Sequence, residues 1–137
     1  MSNTNPLFIC KLPSGDLFLS DMQFLRGYCI LVADPIVTYI NDLSEAKRSQ
    51  FLTDMVKVGD VLLTITDAYR INYSIAGNSD PVLHAHIVPR YPTEPEEYIH
   101  GLPWSYPDPV ISKDRFNPDR DGELIKEITR AMKNSST

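Results

Sequence analysis

The chain has 137 residues, with 13 basic and 18 acidic side chains and a formal net charge of −5. That length suits one domain able to bury about two-thirds of its unfolded surface, and the negative balance gives no basic field for a nucleic-acid polymer, although a local site can still take a small anion. Two cysteines make neither a disulfide framework nor a four-ligand zinc site; no charged-then-apolar leader opens the chain and no apolar run approaches 18 residues, so the expected setting is cytoplasmic and away from a membrane.

Residues 1–6 read as a loose polar start. Residues 7–12 predict a strand, Pro13-Ser14-Gly15-Asp16 a turn, and residues 17–20 a second strand. A loop over 22–27 leads to residues 28–33, whose nearly continuous apolar run predicts a central strand, with Cys29 as a buried small hydrophobe. Asp34-Pro35 breaks that run, and residues 36–40 continue as a loop or a short extended piece. Ser44 is the N-cap of one long helix. Its stripe of Phe51, Met55, Val58, Leu62, Ile65 and Tyr69 recurs at three and four residues and faces a sheet. Gly59 costs that helix about 1 kcal/mol against alanine. Lys47, Arg48, Lys57 and Asp60 are expected to face solvent.

Residues 70–76 predict a strand, and Gly77-Asn78-Ser79-Asp80-Pro81 supplies a turn. The alternation in Val82-Leu83-His84-Ala85-His86-Ile87-Val88 then makes an antiparallel hairpin partner that ends at Pro89. On a strand, His84 and His86 share one face, about 7 Å apart. Such a pair suits a phosphate or a metal ion. A metal would need a third ligand, for which His100, Asp80 and Glu97 are the available side chains. The Pro- and Glu-rich stretch 92–97 and the aromatic stretch 98–104 read as irregular, wrapping structure. A last helix begins near Pro118 or Asp121 and ends at Met132, with Leu124, Ile125, Ile128 and Met132 on one face; residues 134–137 should fray. Methionines 22 and 55 and the aromatic residues read as core.

Asn72-Tyr73, Gly77-Asn78, Pro81 and Leu83-His84-Ala85-His86-Ile87-Val88-Pro89-Arg90-Tyr91 resemble the histidine-triad (HIT) family, and most of all its bacterial HIT-like or diadenosine tetraphosphate hydrolase-like branch. The signature is His-φ-His-φ-His-φ-φ, with φ apolar. The likeness covers about residues 7–105 and is specific over roughly twenty of them. It implies an α+β, HIT-like fold: an antiparallel sheet with one long helix packed on it and a C-terminal helix. The whole chain, 1–137, is then a single HIT-like domain, its core about 7–105 and its C-terminal wrapping segment and helix about 106–133. The likeness also implies a homodimer and a nucleotide or dinucleotide substrate; no cofactor is expected, and no metal, since nothing in the sequence fixes the geometry of a third ligand.

By the same resemblance His84 is the nucleophile at an α-phosphate and forms a nucleotidyl-histidine intermediate, and His86 holds phosphate oxygens. Asn72, Asn78 and Ser79 serve the phosphate and its loop. The elementary chemistry agrees. Neutral imidazole is a good nucleophile near pH 7, a second imidazole can donate to the phosphoryl group, and a Gly-led turn offers backbone N–H groups. Two departures stand out. Val82 occupies the place of the first triad histidine, and Gly27-Tyr28 that of a Gly-His pair. Loss of a proton-transfer partner costs about 10²–10⁴ in rate. The chain therefore uses another acid, such as Tyr28 or His100; or acts on good leaving groups; or binds nucleotides without turnover. Beside these stand the plain alternatives. Asn72 and Ser79 can be turn residues, Arg90 can pair with a carboxylate at a dimer surface, and Trp104 can be a packing anchor.

Overall fold

The computed structural model describes residues 4–135. Its centre is a five-stranded antiparallel sheet in the order β1-β2-β3-β5-β4. The strands are β1 (Phe8–Leu12), β2 (Gly15–Leu19), β3 (Cys29–Ala33), β4 (Arg70–Ser74) and β5 (His84–Arg90). Between β3 and β4 runs α1 (Glu45–Ile65). After β5 come α2 (Glu96–Ile99), α3 (Asp108–Lys113) and α4 (Pro118–Ser135). This is the α+β arrangement that the resemblance implies, an antiparallel sheet with one long helix and a C-terminal helix.

The strand period sorts side chains onto two faces. Leu17, Leu19, Cys29, Leu31, Ala33, Ala85 and Ile87 point to one face and are buried. Phe51, Met55, Val58 and Leu62 of α1 cover them, and Leu124, Ile128 and Met132 of α4 complete the core. The Ser44 hydroxyl accepts the Lys47 N–H and caps α1, as expected. The stripe, however, stops short of its predicted end. The helix finishes at Ile65, and Tyr69 lies beyond it, exposed. Gly59 is where the Tyr73 hydroxyl of β4 approaches the helix; a Cβ there would stand 1.9 Å from it. The missing side chain thus admits a neighbour, a packing reason for a glycine that is costly in a helix.

Several boundaries differ from expectation. Pro89 lies inside β5, paired with Ile71. Pairing with β3 has already ended at Cys29↔Ile87, so proline sits where only one neighbour remains. The turn before β2 shortens to Pro13-Ser14, with Leu12 paired to Gly15. The segment after β5 is not wholly irregular, because α2, a 3₁₀ turn at Pro103–Ser105 and α3 give it short helical pieces. α4 runs through Asn134 and Ser135, where fraying was expected, while Ser136 and Thr137 lie outside the described residues. Its start is fixed by Asn117, whose side chain accepts the Asp119 N–H while its own N–H donates to Asp121. Tyr39, Tyr69, Tyr73 and Trp104 are partly exposed rather than core, and Met22 is only half-buried.

The other face of the sheet carries the polar side chains. Register places His86 opposite Ile30 and Ser74, His84 opposite Val32, Asn72 opposite Val88, and Arg70 opposite Arg90. Among the described residues no helix of α1's length lies on this face. An aromatic layer of Phe24, Tyr28, Tyr98, Trp104 and Tyr106 covers part of it. The chain returns from this layer to α4 beside residues 21–23, where Gln23 N–H donates to the Asp114 carbonyl and Phe116 N–H to that of Asp21.

Candidate functional site

The period of β5 brings His84 and His86 together on the face opposite α1. Their rings meet edge to face with centroids 4.9 Å apart, and both are half-buried. His84 Nδ1 lies 2.6 Å from the carbonyl oxygen of Val82. A carbonyl only accepts, so Nδ1 carries the proton and the neutral ring keeps its lone pair on Nε2. The group that fixes this tautomer is backbone. Replacing histidine by valine at position 82 leaves it intact.

His86 Nδ1 lies 2.7 Å from the Tyr28 hydroxyl. Burial, and then the neighbouring His84, hold the His86 pKa below its ordinary value. Tyr28 is almost wholly buried, and burial pushes its phenol up to about 12, with the Ser20 side chain pulling the other way. It stays protonated at neutral pH. The Trp104 ring closes the cluster, 5.4 Å from His86 and 5.8 Å from Tyr28. Among the described residues, neither His84 Nε2 nor His86 Nε2 has a hydrogen-bond partner.

Tyr28 is positioned from its own loop. Gly27 has φ +93, a left-handed conformation open to glycine at little cost. Buried Gln23 then staples the turn: its side-chain N–H groups donate to the Ser20 and Tyr28 carbonyls, and its Oε1 accepts the Gly27 N–H. Gln23 was not anticipated from the sequence, which offers no motif in that loop. Tyr28 as a stand-in for the second missing histidine was anticipated. Its hydroxyl is engaged by His86, which makes it a support for that ring.

The remaining expected residues are more dispersed. Asn78 and Ser79 are exposed in the loop that enters β5. Asn72 shares the histidine face, but its Oδ1 accepts from Arg90 Nη1 at 2.8 Å. Arg90 is structural, though not at a surface. It is 2 % exposed and pairs within the chain with Glu94 at 2.8 Å. His100 belongs to an open hollow of about 600 Å³ at that end of β5, with Arg70 and Asn72, and its Nε2 stands 3.4 Å from Glu96. A separate cavity of about 140 Å³, between Pro13, Asp34, Leu43 and Gln50, is lined by neither histidine. Among the described residues no group of three His, Cys, Asp or Glu is placed to hold a metal ion, and no helix is long and apolar enough to cross a membrane.

Comparison with known proteins adds the fold's relatives. No family model matches the sequence, and no curated protein does. Solved structures do match. A histidine triad protein from Marinobacter aquaeolei VT8 superposes with a TM-score of 0.77 at 17% identity, over 93% of this chain and 88% of that one. A histidine triad protein from Bradyrhizobium japonicum gives 0.70 at 23% identity, over 90% and 88%. A hypothetical histidine triad nucleotide-binding protein from Sulfolobus tokodaii strain7 gives 0.70 at 14% identity, over 93% and 84%. The chain has the fold of the histidine triad proteins.

Proposed function

We propose that this chain is a histidine triad family protein of the bacterial HIT-like branch. In this reading it binds a nucleotide through its phosphates and cleaves at the α-phosphate through His84. The observation that carries the reading is the 2.6 Å contact between His84 Nδ1 and the Val82 carbonyl. It leaves Nε2 as the nucleophile and stabilises the positive charge that the ring gains on attack. His84 Nε2 bonds to phosphorus as the bond to the leaving group breaks, and the leaving group departs with the electron pair. Water then displaces the nucleotidyl group from His84. His86 donates to a non-bridging oxygen. Asn78 and Ser79 approach the phosphate from the β4–β5 loop, while Asn72, which the resemblance assigns to ordering that loop, is held by Arg90 at the other end of β5. One nucleotide-binding relative of this fold carries that property in its name.

Val82 cannot protonate the leaving group, the Tyr28 hydroxyl lies against His86 Nδ1, and His100 lines the hollow beside Asn72 and Arg90 at the other end of β5. Substrates that release a stable anion, such as dinucleoside polyphosphates, fit this site better than phosphoramidates. A homodimer completes the proposal. β4 is an edge strand, and Leu52, Val56 and Leu63 of α1 expose apolar surface.

Rapid quenching with diadenosine polyphosphates, adenosine phosphoramidate and nucleotidyl-sulfates, followed by intact mass measurement, tests the mechanism. The wild type should gain one nucleotidyl mass and His84→Ala none. An adduct that survives in His84→Ala, or turnover with no adduct at any time, overturns the mechanism. The second reading, binding without turnover, rests on the aliphatic side chain of Val82. Calorimetry then shows AMP or GMP binding with no product from any substrate, and Val82→His creates or raises activity.

A further inference from the structure

We infer that Tyr28 is a positioning residue that holds His86 in the tautomer with its proton on Nε2. The inference deepens the proposed function, because an Nε2–H is what the phosphate would meet. It stands on a chain of contacts. The Met22 N–H donates to Ser20 Oγ at 3.1 Å. The Ser20 side chain, buried beside Tyr28, interacts with the phenol. The phenol oxygen lies 2.7 Å from His86 Nδ1. The Met22 N–H takes one acceptor position of Ser20 Oγ and leaves the Ser20 proton free to be given onward. A Ser20 hydroxyl that donates onward leaves the phenol proton to His86 Nδ1.

The ring has little freedom to escape this arrangement. His84 packs against it at 4.9 Å and Trp104 at 5.4 Å, both edge to face. Tyr28 itself is fixed by Gln23 through its carbonyl and by burial of its ring. The two histidines of β5 therefore receive opposite instructions from their Nδ1 partners. A carbonyl makes His84 a lone pair at Nε2, and a phenol makes His86 a donor there. Had His86 donated Nδ1–H to Tyr28, it would present a lone pair to an anionic phosphate, which repels it.

The test needs no substrate. Long-range ¹H–¹⁵N correlation of the imidazoles at a pH where both are neutral reads each tautomer directly. The wild type should show the Nε2–H form for His86 and the Nδ1–H form for His84. In Tyr28→Phe, His86 should become a mixture while His84 stays unchanged. A wild-type His86 in the Nδ1–H form overturns the inference whether or not the variant folds, and so does an unchanged His86 tautomer in Tyr28→Phe. On a nucleotide substrate, Tyr28→Phe should lower kcat by roughly 10-fold or more with KM within about threefold, and a kcat equal to wild type counts against the inference. If the tautomers are as stated but no nucleotide is processed, the proposed function fails and this inference stands.

Discussion

The two ends of β5 carry polar clusters on the same face of the sheet, and they differ in how completely their hydrogen-bonding positions are filled. At the downstream end, Arg90 donates from Nε to Glu94, from Nη1 to Asn72 and the Gly101 carbonyl, and from Nη2 to Glu94 and the Tyr98 carbonyl. Every N–H of the guanidinium has an acceptor. Glu94 in turn accepts from the Tyr106 hydroxyl and the Tyr91 N–H. Burial alone would raise the Glu94 carboxyl, but bonds from Arg90, Tyr106 and Tyr91 outweigh it and hold the pKa below its ordinary value. At the upstream end, His84 and His86 each use one ring nitrogen and keep Nε2 without a partner among the described residues. A saturated cluster ties down the chain that follows it, here the segment bearing Trp104. The two Nε2 atoms left over at the upstream end are what the proposed chemistry draws on.

The sharpest way to separate the two ends is to remove His84. His84→Gln should lower nucleotide turnover by roughly 10⁴-fold or more, as loss of a covalent nucleophile does. Its unfolding free energy should stay within about 0.5 kcal/mol of wild type, because the ring contributes one hydrogen bond at a half-buried position. A denaturant titration beside the rate measurement checks both halves. A large loss of stability would mean that the upstream cluster is structural too.

Arg90→Met should do the reverse. It leaves the Glu94 carboxylate, 4 % exposed, without its cation, and breaking a buried pair from one side costs about 3–5 kcal/mol. The chemistry then suffers only through Trp104, whose segment is tethered by the Tyr98 and Gly101 carbonyls. Chemical denaturation is the measurement. A loss below about 1 kcal/mol would show that the network is ornamental. Tyr106→Phe probes the same cluster more gently. It removes one donor to a carboxylate that keeps two others, and should cost about 1–2 kcal/mol.

How much of this was legible beforehand depends on the range of the interactions. The sheet, α1 and the pairing of β4 with β5 follow from periods of two and of three to four, which are local. The histidine pair was legible for the same reason, since residues two apart on a strand share a face. The Arg90 cluster was not. A carboxylate partner for Arg90 could be expected, but two of its other acceptors are the carbonyls of residues 98 and 101, and nothing in the identity of those residues announces which way a carbonyl points. The end of α1 was misjudged because Tyr69 continues the apolar spacing. The helix stops at Ile65, and the Thr66 hydroxyl folds back onto the Leu62 carbonyl, a bond that apolar spacing does not encode. Tyr28 could be matched to a missing histidine by position, but its partner could not be named. The sequence separation of 58 between Tyr28 and His86 is closed only by the β3–β5 register.

The smallest effect bears on His86 and acidity. Its pKa in the folded chain is depressed, first by burial and then by His84, while Tyr28 beside it remains neutral. Between that lowered value and the ordinary histidine value near 6.5, the unfolded chain binds more protons than the folded one. Unfolding free energy therefore rises with pH through this window. The contribution is fully present above about pH 6.5 and drains away as the pH falls toward the folded value. Thermal melts of wild type and His86→Gln between about pH 7.5 and 5.5 should converge toward the acid end, because the variant has no such proton to gain. Parallel curves would mean that His86 titrates like a solvated histidine. The upstream end of β5 would then lack the desolvation that makes a partnerless nitrogen there more than an exposed one.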